Sequence, residues 1–245
     1  MLDKKILRSS FFRSYFIAAV FNFRGLQNIG LLYAMEPALS AIYKDKEQLK
    51  AARARYMWHF NTHPLWVPLL IGMFINLEQG VSRDSLPSQG MVALKNTACY
   101  TLSGIGDSVF SGTLIPLWGL VMCCLFVCGQ VWIASAFLIC AVLGVQIFRF
   151  VTYLAGLRHG LGVIGRLKNF DMMKWGQRIK ILNGSLLALL LYLVLPVPAG
   201  GFDLLVPVLG FGAGGWLVFR CKFPRLLVYT MVFAVFWGAD LVKWF

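Results

Sequence analysis

The most constraining feature of this sequence is a long stretch without charge. No Asp, Glu, Lys or Arg occurs in residues 108–148. A membrane-spanning helix needs about 20 apolar residues, so the stretch is long enough for two spans, which we expect to be joined near Gly129 and Gln130. Three further apolar segments follow, at residues 181–199, 204–219 and 226–242. The sequence therefore predicts an all-α integral membrane protein with about five transmembrane helices.

Composition and charge support a membrane protein. Hydrophobic residues make up 59% of the chain and charged residues only 13%, too few charges to cover a soluble globule. The net charge of +13 comes from basic blocks between apolar segments, as in cytoplasmic loops of membrane proteins. A nucleic-acid-binding protein would need a soluble basic face instead, so we expect no nucleic-acid partner. The basic blocks lie at residues 4–24, 44–55, 149–180 and 220–225.

The positions of these blocks predict an orientation. Two spans separate the basic N-terminal part from the basic block at 149–180, so both can be cytoplasmic. The third span then leads outward to residues 196–203, which contain Asp203 and no Lys or Arg. Five spans place the N-terminus in the cytoplasm and the C-terminus outside.

The first hundred residues have a different pattern. Residues 11–23 are aromatic and apolar but contain Arg13, which predicts an amphipathic helix lying at the membrane interface, and residues 47–55 predict a polar helix. The apolar run at 64–76 is too short to span and predicts a buried helix or a re-entrant hairpin. We expect one membrane-embedded unit over residues 1–245. Its parts are interfacial and cytoplasmic helices at 1–58, a region of one or two re-entrant hairpins at 59–107, and spanning helices at 108–245.

The first polar motif is His59-Phe-Asn-Thr-His-Pro64. Asn61, Thr62 and His63 offer donors and acceptors suited to sugar hydroxyls, and Pro64 imposes a fixed turn. An alternative is that Asn61 or Thr62 caps the next helix. His59 and His63 have a spacing typical of metal ligands on a helix, but no third ligand is nearby, so we expect no metal.

The second polar motif is Ser103-Gly-Ile-Gly-Asp-Ser108. Gly104 and Gly106 allow tight turns and close approach, and we expect irregular backbone here, which at membrane depth must be sheltered by protein or line a wet cavity. Such broken segments mark substrate sites in many transporters. Asp107, an isolated acid beside a long apolar segment, is a candidate contact to a sugar or a partner; alternatively it caps the following helix.

Glu78 is a further candidate because a charge beside an apolar segment is costly unless it is solvated or paired. Glu78 closes the apolar run at 64–76, and its expected partner is Lys95 or an Arg of a second subunit. A solvated carboxylate at the interface is the alternative.

The pattern Gly104-Ile-Gly-Asp107 also occurs in intramembrane aspartyl proteases, where two aspartates share a proton. The second aspartate would be Asp240. In that class the aspartate of the Gly-x-Gly-Asp motif usually comes second along the chain, whereas Asp240 comes after Asp107. No phosphate-binding loop of the Gly-x-x-x-x-Gly-Lys-Ser/Thr type occurs, and the cysteines, which mostly lie in apolar runs, are expected to be packing residues. We expect no cofactor and no catalytic residue.

Several motifs together resemble the IID component of the mannose/fructose/sorbose phosphotransferase systems, in order and approximate spacing, through about Gly119. They are residues 21–30, Met35-Glu-Pro37, Tyr43, residues 59–64, Leu77-Glu78 and residues 103–108.

The resemblance implies a protein of the bacterial inner membrane that pairs with a IIC subunit to form a path for a hexose-class sugar. Soluble IIA and IIB proteins would supply the phosphate, so this chain would carry no phosphorylated residue, and IIC–IID pairs would form an oligomer. A diverged relative kept for interaction or regulation, without transport, is an alternative in another functional class. By position, contacts to sugar or to IIC are expected at Asn61, Thr62, His63, Glu78, Lys95 and Asp107, with Pro64, Gly104 and Gly106 shaping the backbone.

Overall fold

The structure, a computed structural model, describes residues 2–194. Within them the chain is helical and contains no β-strand, only two isolated bridges that join Leu26 to Asn22 and to Phe60. The helices are α1 (Lys4–Arg13), α2 (Asn28–Ile42), α3 (Lys46–Tyr56), α4 (Val67–Val81), α5 (Met91–Gly106), α6 (Ile115–Val127), α7 (Val131–His159), α8 (Gly162–Asn169) and α9 (Met172–Val194).

Within residues 2–194, three helical segments are long and apolar enough to cross a membrane. They are Ser88–Val127, Val131–His159 and Met172–Val194. The turn between the first two contains Gly129, whose φ of +70° favours glycine, and this confirms the predicted junction. The third begins before residue 181, so basic residues lie in its first turns. The predicted spans at 204–219 and 226–242, the loop at 196–203, Asp240 and the predicted C-terminal orientation fall outside the described residues.

The first of these segments is one continuous helix that runs through the Gly-x-Gly-Asp motif. α5 continues into a π-helical segment, Asp107–Leu114, and then into α6. Asp107 has helical angles, φ −63° and ψ −40°. The expectation of irregular backbone at residues 104–107 is therefore wrong: because glycine adopts helical angles as readily as turn angles, the motif alone does not distinguish the two.

The short apolar run at 64–76 forms α4, which is buried on nearly all sides. Eleven of its fifteen residues are buried, and it packs closely against α7. A Cβ atom on Gly72 would lie 2.4 Å from the carbonyl oxygen of Tyr153, and one on Gly156 would lie 2.4 Å from that of Leu69. The two glycines thus bring the helix backbones together, as small residues do in membrane helix pairs.

The N-terminal helices pack around this pair. α3 confirms the polar helix predicted at 47–55. The prediction of a helix at 11–23 is wrong in its bounds, because the helix found here is α1. It begins after Asp3, whose side chain caps it by accepting from the amide of Lys5 at 3.1 Å. It ends at Arg13, before a 3₁₀ turn, Ser14–Phe16.

Candidate functional site

A polar pocket of about 630 Å³ opens where the loop before α4 meets the first spanning segment and α7. It is lined by Gln27, Asn61, Thr62, His63, Pro64, Leu65, Ser103, Asp107, Ser111, Ile115, Trp118 and Val145. Val145 lies 14 residues from each end of α7, about 21 Å along the helix axis. The pocket therefore lies halfway along this spanning helix.

The loop that carries Asn61, Thr62 and His63 is fixed by α2. The side-chain amide of Gln27 donates to the carbonyl of Thr62 at 3.3 Å and accepts from the Thr62 amide at 3.2 Å. The backbone amide of Gln27 donates to the carbonyl of Phe60 at 2.9 Å. These bonds satisfy backbone groups of Phe60 and Thr62, so the loop is held at the mouth of the pocket without regular secondary structure.

His63 joins this loop to the first spanning segment. Its Nε2 lies 3.2 Å from the hydroxyl of Ser111, and its Nδ1 accepts from the amide of Leu65 at 3.3 Å. With Nδ1 accepting, the proton of the neutral ring is on Nε2, which donates to Ser111. Burial lowers the pKa of His63, and the charge of Asp107 opposes this shift without reversing it. The imidazole is therefore uncharged at neutral pH.

The two capping alternatives are wrong. The residue before α4 is Trp66, and no side chain caps that helix. Asn61 is exposed toward the pocket, while the buried Thr62 hydroxyl has no hydrogen-bond partner among the described residues. Asp107 cannot cap, because the helix continues through it, and its exposed carboxylate lines the pocket instead.

The spanning segment presents a polar stripe to the pocket. Ser103, Asp107 and Ser111 are spaced four residues apart, and Ile115 and Trp118 continue the stripe. In an α-helix each four-residue step drifts about 40° around the axis. The wider turn of the π-helical segment counteracts this drift, so the stripe keeps facing one side. π-helical segments occur frequently at functional sites.

Of the two glycines in the motif, only Gly106 is required by close packing. A Cβ atom there would lie 2.5 Å from Cβ of His63 and 2.8 Å from Cδ1 of Trp66, whereas one on Gly104 would meet nothing within 4 Å. Gly106 thus allows the helix to pass directly beside the His63 loop.

This difference gives a paired prediction for the two glycines. Gly106→Ala is expected to displace His63 and destabilise the fold by about 1–3 kcal/mol. Gly104→Ala should be neutral or stabilising by up to about 1 kcal/mol, since alanine is the better helix former. Thermal unfolding of the two purified variants in detergent measures this. Equal melting temperatures would contradict the close approach at Gly106.

Glu78 and Lys95 lie outside this pocket. Glu78 is fully buried, and its carboxylate accepts four hydrogen bonds. Arg55 donates from Nε at 3.1 Å and from Nη2 at 2.6 Å, Tyr56 donates at 2.8 Å, and Tyr43 donates at 2.6 Å. The expected partners of Glu78, Lys95 or an arginine of a second subunit, are therefore wrong: the partner is Arg55 of this chain, on α3.

The tyrosines of this cluster are held as donors. Burial raises the pKa of Tyr56, and the neighbouring Glu78 raises it further; the same two causes raise the pKa of Tyr43. Both hydroxyls therefore stay protonated. The cluster joins α2, α3 and α4.

Lys95 has a structural contact of its own. It is buried on α5, and its ammonium donates to the carbonyls of Arg55 at 3.1 Å and His59 at 3.4 Å. A cation at carbonyls near a helix C-terminus is favourable, so Lys95 links the end of α3 to the first spanning segment. Within residues 2–194 no group of three or more His, Cys, Asp or Glu side chains could hold a metal ion.

Sequence reasoning missed several residues that line the pocket. Gln27, Ser111 and Trp118 were not selected as contacts, and Ser103 was noted only as part of its motif. The four-residue spacing of polar residues on an apolar helix would have indicated Ser103 and Ser111. Nothing in the local sequence indicates Gln27, because its contacts to the loop span 35 residues.

The apolar spanning helices and the helical fold define an α-helical membrane protein. The sequence profile of the PTS system mannose/fructose/sorbose family IID component matches residues 1–197. The chain belongs to this family, which confirms the resemblance drawn from the motifs.

Named relatives agree over a shorter stretch. The chain is 30% identical to the fructose permease IID component of Bacillus subtilis (strain 168) over 117 residues, 47% of this chain and 42% of that protein. It is 29% identical to the mannose-specific EIID component of Escherichia coli (strain K12) over 119 residues, 48% and 42% of the two chains. The aligned stretch thus spans less than half the length of these relatives.

Two solved structures share the fold. One, described as a membrane protein, has a TM-score of 0.75 at 20% identity and covers 98% of this chain and 97% of its own. The other is a complex of the mannose transporter ManYZ with microcin E492, with a TM-score of 0.61 at 21% identity and coverage of 99% and 97%.

Proposed function

We propose that this chain is the membrane subunit of a mannose-class phosphotransferase sugar transporter. It forms the sugar path together with a IIC subunit, in an oligomer of IIC–IID pairs, and soluble IIA and IIB proteins supply the phosphate. Membership of the IID family and three helices able to span a membrane support this function. The protein itself binds and positions the sugar, while phosphoryl transfer takes place on its soluble partners.

The observation that carries the proposal is the polar pocket halfway along α7. Substrate sites of many transporters lie near the middle of the membrane, beside non-standard helical segments, and the π-helical segment lines this pocket. Its carboxylate, amide, imidazole and hydroxyl groups suit a ligand with many hydroxyls. The indole of Trp118 adds a flat apolar surface against which a sugar ring can pack.

Different pocket residues serve different parts of this task. Asp107 and Asn61 are exposed in the pocket and free to accept or donate to sugar hydroxyls. His63 and Thr62 are buried at its wall and position the loop, so we assign them a role in shape. Glu78 and Lys95 stabilise the surrounding helices and act on the sugar path only through the fold.

The proposed location is the bacterial inner membrane, with the N-terminus in the cytoplasm. The basic residues at 158–180 support this orientation, because they follow the apolar part of α7 and collect on one side of it.

The proposal predicts a loss of uptake in two pocket variants. Asp107→Asn should reduce sugar uptake about tenfold or more, since a hydrogen bond to a charged group contributes about 1.5–3 kcal/mol. Asn61→Ala should reduce it about two- to tenfold, since a neutral hydrogen bond contributes about 0.5–1.5 kcal/mol. Uptake is measured in cells or proteoliposomes that contain the IIC, IIA and IIB partners. Asp84→Asn is the matched control, because Asp84 is an exposed acid outside the pocket.

Membrane insertion should be unchanged in all three variants, which is checked by extraction of the membrane fraction. Normal uptake by both pocket variants would remove the site assignment. Absence of uptake for every sugar, with the wild-type chain and all partners present, would instead favour a diverged protein that no longer transports.

A further inference from the structure

The first helix carries an exposed stripe that changes from basic to aromatic along its length. Lys4, Arg8, Phe12 and Phe16 are spaced four residues apart and therefore lie on one side of α1 and the turn that follows it. All four are exposed, with Phe12 at 63% and Phe16 at 59%. Both side chains stay more than half exposed within the described part of the chain.

A neighbouring side of α1, about 100° around the helix from the stripe, contacts α7. The hydroxyl of Tyr153 donates to the carbonyl of Leu7 at 2.8 Å, and the ring of Phe11 lies 5.6 Å from that of Phe150. Further along, the hydroxyl of Tyr15 donates to Gln146 at 2.5 Å. The residue numbers of the contacting partners rise along α1 while they fall along α7, so the two helices run antiparallel.

This direction places the two ends of the stripe at different depths. Lys4 lies toward the C-terminal end of α7, and Phe16 lies level with its middle. Twelve residues of helix separate them, about 18 Å. A helix that follows a spanning helix in this way descends into the bilayer, with its basic end at the headgroups and its aromatic end among the acyl chains.

Arg149 fixes the deeper end of α1. Its guanidinium lies 3.9 Å from the centre of the Tyr15 ring, and within residues 2–194 no carboxylate lies within ion-pair distance of it. A cation stacked on a ring is strongly favoured where water is absent. The contact therefore holds Tyr15, and with it the exposed Phe16, beside the middle turns of α7.

Hydrogen bonds fix the second half of the turn after α1. Asn22 accepts from the amides of Arg24 and Gly25 at 3.1 and 2.8 Å, and its backbone pairs with that of Leu26. The exposed side chains of this turn include Phe21 and Phe23.

We propose that α1 and the turn after it form an anionic-phospholipid site in the cytoplasmic leaflet. Lys4 and Arg8 bind the headgroup phosphates, and Phe12 and Phe16 insert among the acyl chains. The positive charge favours an anionic lipid over a neutral one, because Asp3 is the one acid in the first 35 residues and the cations there are otherwise not neutralised by nearby sequence. Each basic residue close to an anionic surface gives about a fivefold preference.

The test uses the full chain in nanodiscs that contain both phosphatidylcholine and phosphatidylglycerol. Native mass spectrometry should find phosphatidylglycerol retained in preference to phosphatidylcholine. The double variant Lys4→Gln/Arg8→Gln should lose about tenfold or more of this preference. Lys46→Gln/Lys50→Gln is the matched control, since α3 presents two exposed cations at the same spacing but carries no exposed large apolar side chain. It should keep the preference.

The depth is tested separately with the photo-reactive residue p-benzoylphenylalanine in place of Phe16. Cross-linking to phospholipid in the assembled transporter supports the proposal. Cross-linking to the IIC subunit would assign this surface to a protein partner and overturn it. Lack of a phosphatidylglycerol preference, or equal loss of it in the α3 control, would also overturn it.

Discussion

Glu78→Gln is expected to destabilise the protein by about 3 kcal/mol or more, because it removes the negative charge from a fully buried site and leaves the partly buried Arg55 without a counter-charge. Four donors converge on the carboxylate. A glutamine there points its own N–H groups at two of these donors, so hydrogen bonds are lost as well as charge. We expect a large fall in the melting temperature in detergent, followed by tryptophan fluorescence or circular dichroism.

Glu36→Gln is the matched control for this prediction. Glu36 also pairs with an arginine, Arg53, but that pair is exposed, with 31% and 44% of the two side chains accessible. Such surface pairs contribute about 0–1 kcal/mol. The double variant Arg55→Met/Glu78→Leu should recover much of the lost stability, since apolar replacement of a buried pair is often neutral. Similar small effects of Glu78→Gln and Glu36→Gln would show that the buried cluster does not stabilise the fold.

Gly156→Val is expected to separate α4 from α7, with a loss of about 3 kcal/mol or more of stability. A Cβ atom at Gly156 would lie 2.4 Å from the carbonyl oxygen of Leu69 and 2.8 Å from the amide nitrogen of Met73. Both are backbone atoms, which cannot rotate away as a side chain can. The cost therefore reaches or exceeds the usual 1–3 kcal/mol of overpacking, and valine adds two methyl groups to the clash.

Gly144→Val tests the specificity of this effect on the same helix. A Cβ atom there would meet nothing within 4 Å, so the change should be within about 1 kcal/mol of neutral. Thermal unfolding, together with monodispersity in size-exclusion chromatography, distinguishes the two variants. If Gly156→Val and Gly144→Val melted alike, the close helix contact would not exist in solution.

Much of the fold could be predicted from local pattern. The uncharged stretch at 108–148 predicts two spans and their junction, because hydropathy and length alone set these features. The same logic predicts α3 from its charges and predicts that α4 is too short to span. The predicted boundaries of α1 were wrong because its start depends on a single capping residue, Asp3. The aromatic pattern at 11–23 marks exposed apolar side chains and does not mark where the helix begins or ends.

The candidate site was predicted in its members but not in its arrangement. Asn61, Thr62, His63, Pro64 and Asp107 do line one pocket, since each is polar or turn-forming in an apolar context. Glu78 and Lys95 were grouped with them for the same reason, yet their partners are 23 and 40 residues away in sequence. Side-chain pairs at such distances depend on how helices pack, and no local pattern records that.

The helical continuity of residues 88–127 is the clearest example of this limit. Two glycines and an aspartate favour a turn, but the flanking apolar segments form one helix because their backbone bonds are satisfied only within a helix at membrane depth. The carbonyl of Thr113, in the π-helical segment, accepts a hydrogen bond from the side chain of Asn183 on α9 at 2.9 Å.

The wide turn of this segment also makes the helix tolerant of a shorter chain in a way that ordinary helix is not. Removing one residue between Asp107 and Leu114 would let the segment rewind with regular α-helical bonds, since the i→i+5 pattern holds one residue more per hydrogen-bonded turn than the i→i+4 pattern. In a regular α-helix the same loss would rotate everything before it by about 100° relative to Trp118. Here the rewinding would offset most of that rotation, and Asp107 would stay on the side of the helix that carries Trp118.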